Sequence, residues 1–336
     1  MTSPSINHRT FVIANPAAGA GTVGEDWPLI ERLLRANLPE LDFAFTEGPG
    51  HATLLTREAL RAGWEMVVSV GGDGTLNEVL NGFFEDPEPD EHFQHQSDGW
   101  ITKTDATPQP INPDAVLGVL PLGTGGDYRR SLGLMGGIAE NIEHLRGRHT
   151  RTVDIGQLGY IDHQDELASR YFINISCAGM SGLVDRYANS TWKGLGGTMS
   201  FILATVRAFL HWQNVEVEVR LDDTTEVRDH LVDVIAAIGE YFGGGMWIAP
   251  GAELDDKAFQ VVTMGDLSKT EMLKIFPQVY QGKHVGSRKV TRYRAHQVAV
   301  RPVDADREVL IDCDGEQPGK LPAMWKLHPA AVKIKI

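Results

Sequence analysis

Short apolar runs alternate with segments of helical spacing through the first part of the chain. Helical spacing of apolar residues covers 26–37 and 51–62, as expected of amphipathic helices. Runs rich in β-branched and aromatic residues lie at 9–14, 41–46, 66–70 and 115–120. This alternation predicts βαβ units and a buried parallel sheet, with ligands at the carboxyl ends of its strands.

The pattern changes to frequent strands after residue 148. Residues 215–221 alternate apolar and polar side chains with period two, which is typical of a half-exposed antiparallel strand. Further strand-like runs lie at 152–155, 171–175, 231–238, 259–264, 297–301 and 309–311. We therefore predict an α/β domain over 1–148, with a returning segment at 325–336, and a mainly β domain over 149–324.

Residues 85–114 interrupt the first domain. Pro, Asp, Glu, His and Gln dominate there and apolar periodicity is weak, so we predict a surface insertion. His92 and His95 are three residues apart, but no third metal ligand accompanies them.

Composition narrows the class of protein. The 336 residues are 42% hydrophobic and carry a net charge of −14, which allows two cores and argues against nucleic acid as a partner. Two distant cysteines and a polar amino terminus without a signal-peptide core predict a cytoplasmic protein. The apolar stretch 199–212 is too short for a membrane span.

Two glycine-rich turns carry the candidate chemistry. Their glycines allow backbone N–H groups to converge on an anion where a helix begins, and Thr75 with Glu78 has capping-box spacing. Acids beside phosphate need a neutralising cation, so Asp73 and Asp127 predict Mg²⁺, held directly or through water. The turns contain Gly71, Gly72, Asp73, Gly74 and Thr75, and Gly123, Thr124, Gly125, Gly126 and Asp127.

An earlier motif, 19–24, fits the G-x-G-x-x-G dinucleotide pattern, with Glu47 near the place of its ribose-binding acid. Four residues separate its first glycine from the preceding strand, so the tight first turn of that pattern is missing. We therefore do not favour a dinucleotide dehydrogenase.

The two glycine turns together resemble the diacylglycerol kinase catalytic-domain family, which includes bacterial lipid kinases, diacylglycerol kinases, and sphingosine and ceramide kinases. The resemblance extends in sequence order over nearly the whole chain. Its other motifs are 15–19, Thr46 with 50–52, 153–154, 172–174, 243–246 with Pro250, 255–256 and 314–316.

This resemblance implies a Rossmann-like nucleotide-binding domain of the phosphofructokinase and NAD kinase type, a C-terminal β-sandwich domain, and an active site in the interdomain cleft. ATP is the implied donor, Mg²⁺ the cofactor, and a hydroxyl of a diacylglycerol-like or sphingoid lipid the acceptor. The implied general base lies in 314–316, where we prefer Glu316 to Asp314, and Asp73 is a further catalytic candidate. The implied nucleotide contacts are Asn15, Thr46, Gly71, Gly72, Asp73, Gly74, Thr75, Asn77, Glu78, Gly123, Thr124 and Asp127.

Three departures from the family pattern stand out. Gly126 replaces the usual Asn, and Tyr128-Arg129-Arg130 replaces Phe-Ala-Arg, which adds a cation able to meet phosphate or an anionic head group. The family's Asp-Asp-Gly-x-x-Asp becomes 255–260, ending in Gln260. Asp256 therefore remains a weakened candidate ligand for a structural Mg²⁺.

Several alternatives stay open. The basic segment 283–294 is either a solvated face or a peripheral contact with membrane head groups, and a homo-oligomer is also open. The competing functions are an NAD kinase-like small-molecule kinase, which shares the Gly-Gly-Asp-Gly-Thr turn, and a catalytically weakened lipid-binding or regulatory protein. The residues that follow the first turn, together with the turn ending in Asp127, favour the lipid branch.

Overall fold

The computed structural model describes residues 8–86, 89–190, 197–222 and 225–336; the polar amino-terminal segment considered above lies mostly outside these residues. The helices are α1 (Thr22–Glu25), α2 (Trp27–Asn37), α3 (His51–Arg61), α4 (Asp73–Asn81), α5 (Pro89–His92), α6 (Asp127–Leu132), α7 (Ile138–Glu143), α8 (Met180–Ser190), α9 (Gly197–His211) and α10 (Lys269–Val279). The strands are β1 (Thr10–Ala14), β2 (Leu41–Phe45), β3 (Met66–Gly71), β4 (Phe93–His95), β5 (Ile101–Lys103), β6 (Val116–Pro121), β7 (Thr150–Ile161), β8 (Leu167–Phe172), β9 (Ile175–Gly179), β10 (Val215–Leu221), β11 (Thr225–Leu231), β12 (Asp233–Ala237), β13 (Tyr241–Phe242), β14 (Met246–Trp247), β15 (Phe259–Met264), β16 (Val290–Ala295), β17 (Gln297–Pro302), β18 (Ile311–Cys313) and β19 (Lys320–Lys335).

The described residues form two compact units. Unit 1 contains 8–86, 108–153 and 330–336, and unit 2 contains 89–107 and 154–329 apart from the gaps stated above.

Unit 1 is built on a parallel sheet. Its strand order is β2–β1–β3–β6, with the last residues of β19 beside β6. In the register Phe45 pairs with Ala14, Ala14 with Val70 and Val70 with Leu120. The carboxyl ends of four neighbouring strands therefore lie level at one edge of the sheet.

Complete burial explains why these strands are apolar throughout. Every residue of β3 and β6 is buried, as expected of strands covered on both faces. The helix α2 packs Trp27, Ile30 and Leu34 into the same core. This rigid core holds the strand ends, and the turns that follow them, in place.

The described residues of unit 2 form two large antiparallel sheets, besides the two-stranded sheets β4–β5 and β13–β14. One has the order β11–β10–β17–β19, with β7 beside β19 and β8 beside β7, and the other has the order β16–β15–β12–β9–β18. The rings of Phe172 and Phe259 stack with centroids 5.8 Å apart, and Trp325 Nε1 donates to Ser176 Oγ at 2.8 Å. These contacts join the sheets into the predicted β-sandwich.

The segment 85–114, predicted as a surface insertion, contains a short hairpin in its middle part. The strands β4 and β5 form a hairpin whose Phe93 and Trp100 are 0% and 2% exposed, and both belong to one hydrophobic cluster with Met324. Lys326 Nζ fixes the following residues by donating to Ala106 O at 2.7 Å. Isolated apolar residues anchor this segment, so a search for periodic ones misses it.

Helices α9 and α10 of unit 2 carry apolar side chains that are exposed to solvent. The inner side of α9 packs Ala204 and Ala208 against Val184 of α8. Within the described part of the chain, each helix is too short or too polar to cross a bilayer.

Candidate active site

The two glycine turns meet at the edge of the unit 1 sheet. Leu122 and Gly123 both donate their N–H groups to Gly71 O at 2.9 Å. The Asp73 Oδ2 accepts the N–H of Asp127 at 3.0 Å. Each turn therefore fixes the backbone of the other.

Gly123 is required by close packing. A Cβ at this position would lie 2.3 Å from Gly72 Cα, so any side chain would push the two turns apart. The predicted pair of anion-binding turns is thus one assembly, in which two chain segments approach within backbone contact.

The first strand contributes a third loop to this edge. Asn15 follows β1, and its Nδ2 donates to Thr75 Oγ1 at 3.2 Å. Thr46 follows β2, with its N–H donating to Ala14 O at 2.9 Å. Thr124 is an exposed residue of the second turn. The structure thus gathers the predicted nucleotide contacts after β1, β2, β3 and β6 at one edge.

Two residues predicted to contact the nucleotide, Asn77 and Glu78, make hydrogen bonds within the protein. Asn77 is fully buried, and its Oδ1 accepts from Asn81 Nδ2 at 3.2 Å. The predicted capping box is wrong: α4 begins at Asp73, and Glu78 accepts N–H groups of Gly50 and Ala52 at 2.9 and 3.1 Å. Glu78 therefore caps the neighbouring helix α3, because that N-terminus lies beside it only in the fold.

The acids of the two turns fit a nucleotide-bridged Mg²⁺. Mg²⁺ is commonly held by one or two carboxylates together with substrate phosphates and water, which matches Asp73 and Asp127. Asp127 is buried and its Oδ1 also contacts Arg130 Nη1 at 3.1 Å. In the described residues no cluster of three or more His, Cys, Asp or Glu side chains forms a metal site, so the phosphates would supply the remaining ligands.

Asp256 does not suit a cation. Its Oδ2 lies 3.3 Å from Arg294 Nη1 and 3.4 Å from Gln260 Nε2. The carboxylate is therefore already neutralised by an arginine, and the weakened Mg²⁺ site expected there is not supported.

In unit 2, Asp314 and Gly315 form a tight turn after β18. Their φ angles are 50° and 84°, and Cys313 and Glu316 exchange backbone hydrogen bonds across them at 2.8 and 3.1 Å. An Asp-Gly pair suits this left-handed two-residue turn.

Asp314 is a structural residue in this turn. Its carboxylate accepts three backbone N–H groups, from Ile173 at 3.0 Å, Asn174 at 3.1 Å and Ile175 at 3.0 Å. The side chain is buried, so it is not placed to receive a substrate proton. These three hydrogen bonds favour Glu316 over Asp314 as the proposed base.

Glu316 differs from Asp314 in exposure and in partners. Its side chain is 42% exposed, and its Oε2 accepts from Arg170 Nη2 at 2.9 Å. Burial by itself would lower the pKa of Arg170. The neighbouring Cys313 and Glu316 have a larger, opposite effect, so the pKa of Arg170 lies above its ordinary value. Arg170 was missed from the sequence, because no local pattern marks an arginine whose partner is 146 residues away.

Buried acids lie behind this turn and were also missed. Asp312 accepts from Gly315 N at 2.8 Å, and Asp233 accepts from Ser181 Oγ at 2.7 Å. Burial raises the pKa of Asp233 to about 7 and that of Asp312 to about 6. Burial and the neighbouring Asp312 also raise the pKa of Asp185 well above its ordinary value. These acids belong to the interior support of the turn, since all three are buried.

Comparison with known proteins assigns both units. Residues 9–158 match the diacylglycerol kinase catalytic domain, and residues 174–336 match the YegS C-terminal NAD kinase beta sandwich-like domain. The chain is 27% identical over 313 residues to a diacylglycerol kinase of Staphylococcus haemolyticus (strain JCSC1435), covering 93% of this chain and 83% of that protein. It is 26% identical over 316 residues to a diacylglycerol kinase of Staphylococcus carnosus (strain TM300), covering 94% and 90%.

The fold has a counterpart among solved structures. A diacylglycerol kinase from Bacillus anthracis str. Sterne superposes with a TM-score of 0.65 at 19% identity, covering 98% of this chain and 96% of that chain. This likeness establishes the shared fold of the two chains.

The fold, the paired anion turns and the matched domains define a phosphotransferase with an alcohol group as acceptor. Residues 9–158 belong to the diacylglycerol kinase catalytic-domain family, as their motifs predicted, and residues 174–336 belong to the YegS C-terminal domain family.

Proposed function

We propose that the protein is an ATP- and Mg²⁺-dependent lipid kinase that phosphorylates a free hydroxyl of a diacylglycerol-like or sphingoid lipid. The observation that carries the proposal is the assembly of the two turns, in which Gly123 packs on Gly72 and Asp127 donates to Asp73. Its N–H groups and acids suit a triphosphate with a bridging cation. The relatives named diacylglycerol kinase support a lipid as acceptor.

In the proposed reaction the turns hold the triphosphate, and Asp73 and Asp127 would hold Mg²⁺. When bound, Mg²⁺ neutralises charge on the phosphates. The acceptor hydroxyl oxygen bonds to the γ-phosphorus while the bond from that phosphorus to the bridging oxygen of ADP breaks. Glu316 takes the hydroxyl proton, because its carboxylate is 42% exposed and can be reached by an acceptor hydroxyl. The Arg170 guanidinium holds Glu316 in one orientation.

Replacement of Asp73 by asparagine tests the donor side of the proposal. We expect the wild-type chain with Mg²⁺ and ATP to convert a lipid extract in detergent micelles to phosphorylated lipid, detected by mass spectrometry. D73N should lose about 10²-fold or more of this activity, because a carboxylate beside the phosphates is removed. D42N, on exposed Asp42 of β2, is the matched control.

The same assay separates the competing functions. Phosphorylated NAD without any lipid product would replace the lipid kinase by a small-molecule kinase. Absence of every product, with lipid binding retained, would instead support a regulatory protein.

The basic segment does not suit the membrane contact considered above, because several of its cations have partners within the chain. Within 283–294, Lys289 pairs with Glu271 at 2.9 Å and Arg294 pairs with Asp256 at 3.3 Å. Arg292 donates to Pro250 O at 3.0 Å. Much of this segment is thus engaged within the chain, which supports the solvated-face interpretation for it.

We propose instead that an apolar helix face meets the bilayer, on the cytoplasmic side where ATP is available. Lys269 Nζ donates to Trp212 O at 2.6 Å and so fixes the start of α10 at the end of α9. The exposed Lys274 lies on α10, where it suits anionic head groups. The apolar helix face consists of Ile202, Leu203, Val206 and Leu210 of α9, Leu273 and Phe276 of α10, and Tyr280 directly after α10, which are 38–67% exposed.

Sedimentation with phosphatidylglycerol vesicles tests this surface. The double variant L273S/F276S should bind about tenfold less to the vesicles, because two large apolar side chains no longer leave water. L54S, at a residue of α3 that is 56% exposed, should bind normally. If L273S/F276S binds vesicles normally and instead abolishes self-association seen by analytical ultracentrifugation, the face belongs to a homo-oligomer.

A further inference from the structure

Arg129 and Arg130 follow the second turn, and their environments differ. Arg130 Nη1 donates to Gly125 O at 3.0 Å and Gly126 O at 2.9 Å, and it contacts Asp127 Oδ1 at 3.1 Å. Arg130 therefore holds the turn closed and its charge is balanced locally.

The side chain of Arg129 lies directly across Gly126. Gly126 is buried and has φ 61° and ψ 42°, in the left-handed region. A Cβ on Gly126 would lie 2.7 Å from Arg129 Nε, 2.9 Å from its Cδ and 3.3 Å from its Cζ. The arginine therefore occupies the space into which a side chain at position 126 would project. Glycine at 126 and arginine at 129 are structurally coupled.

Arg129 has an unmet hydrogen-bonding requirement. Its Nε–H is buried and has no acceptor in the part of the chain that the structure describes. A buried donor on a permanently charged group is costly without an acceptor, so it indicates a missing anionic partner. The carboxylates of this turn already have partners, since Asp127 contacts Arg130 and Asp73 accepts from Asp127 N.

We propose that Arg129 is a nucleotide-binding residue whose guanidinium donates to a phosphoryl oxygen of ATP at the two turns, in a position that only Gly126 leaves open. This inference rests on the proposed function, because it takes the ligand of the turns to be a triphosphate. It adds a contact that the two turns alone do not provide. Planar guanidinium groups suit phosphate because they offer several donors in fixed geometry.

Calorimetric titration with ATP and with ADP, in the presence of Mg²⁺, tests the proposal on the full chain. R129M keeps an unbranched stem over Gly126 but removes the donors. It should weaken ATP binding by roughly tenfold to a hundredfold, as expected for a charge-assisted contact. The KM for lipid should change by less than about twofold, since the loss is confined to the nucleotide. R32M, on the exposed side of α2, is the matched control.

A double-mutant cycle identifies the coupling with Gly126. Asparagine tolerates the left-handed conformation, so G126N should keep the backbone but displace Arg129 and weaken ATP binding to the same extent. The double variant G126N/R129M should then be no weaker than either single variant. R129K, which keeps the charge and most of the stem, should show an intermediate loss and guards against a folding defect in R129M.

The outcomes separate this inference from the proposed function. If the wild type binds ATP and R129M binds it equally well, Arg129 only packs on the turn and the inference is wrong while the kinase proposal stands. Additive losses in G126N/R129M would equally overturn the coupling. If the wild type binds neither nucleotide, both proposals fail together.

Discussion

Replacement of Glu316 by glutamine is expected to lower kcat by a factor of about 10²–10⁴, the usual contribution of a positioned general base. The variant keeps the size of the side chain and a polar end beside Arg170, but it can no longer accept a proton. Steady-state assays at saturating ATP and lipid measure the effect. Because Glu316 is also the charge partner of Arg170, whose side chain is only 18% exposed, the free energy of unfolding should fall as well, so kcat is compared under conditions in which urea denaturation shows both proteins folded.

The control for this prediction is a second glutamate of the same unit. Glu166 is exposed next to β8, and E166Q should retain full activity. ADP binding by E316Q should also be normal, since all the proposed phosphate contacts lie in unit 1. Activity of E316Q within about threefold of the wild type would reject Glu316 as the base.

Replacement of Asp314 by alanine is expected to act on stability instead. Three buried N–H groups lose their acceptor at once, and each such loss costs about 1–3 kcal/mol. The turn also loses a residue suited to its φ of 50°. We expect a decrease of about 3–5 kcal/mol in the free energy of unfolding, measured by urea denaturation followed by tryptophan fluorescence and circular dichroism.

Asparagine at the same position offers an intermediate case. D314N keeps one acceptor oxygen and tolerates the left-handed backbone, so it should lose less stability than D314A. If D314A unfolds like the wild type while its kcat falls as far as that of E316Q, Asp314 would have a chemical role that its three hydrogen bonds do not indicate. The contrast between neighbouring acids thus tests both assignments.

The strands of unit 1 and the position of both glycine turns could be predicted because their signals are local. A buried parallel strand such as β3 is apolar along its whole length, and the glycines follow it directly. The prediction that Glu78 caps its own helix was wrong, because its hydrogen-bond partners are distant in sequence. Spacing along α4 indicated a cap on its own helix, but the N–H groups of Gly50 and Ala52 lie closer in the fold.

The packing of segment 85–114 and the environment of Asp256 could not be predicted from the sequence, for a related reason. Phe93 and Trp100 are buried by residues more than 60 positions away in sequence, so composition alone indicated a solvated loop. Asp256 retained a motif position, yet Arg294 from β16 neutralises its carboxylate. A carboxylate's available charge depends on what packs beside it, which motif spacing does not record.

By itself, the sequence determined the family, the order of strands and helices in unit 1, and the two turns that can bind an anion, because these depend on residue type and short-range spacing. Only the tertiary structure revealed the different partners of Glu316 and Asp314, among them Arg170 beside Glu316, and placed Arg129 across Gly126. These features depend on burial and on partners. The packing of the sheets decides which residues are buried and which residues distant along the chain become partners. Both are therefore determined only when the chain has folded.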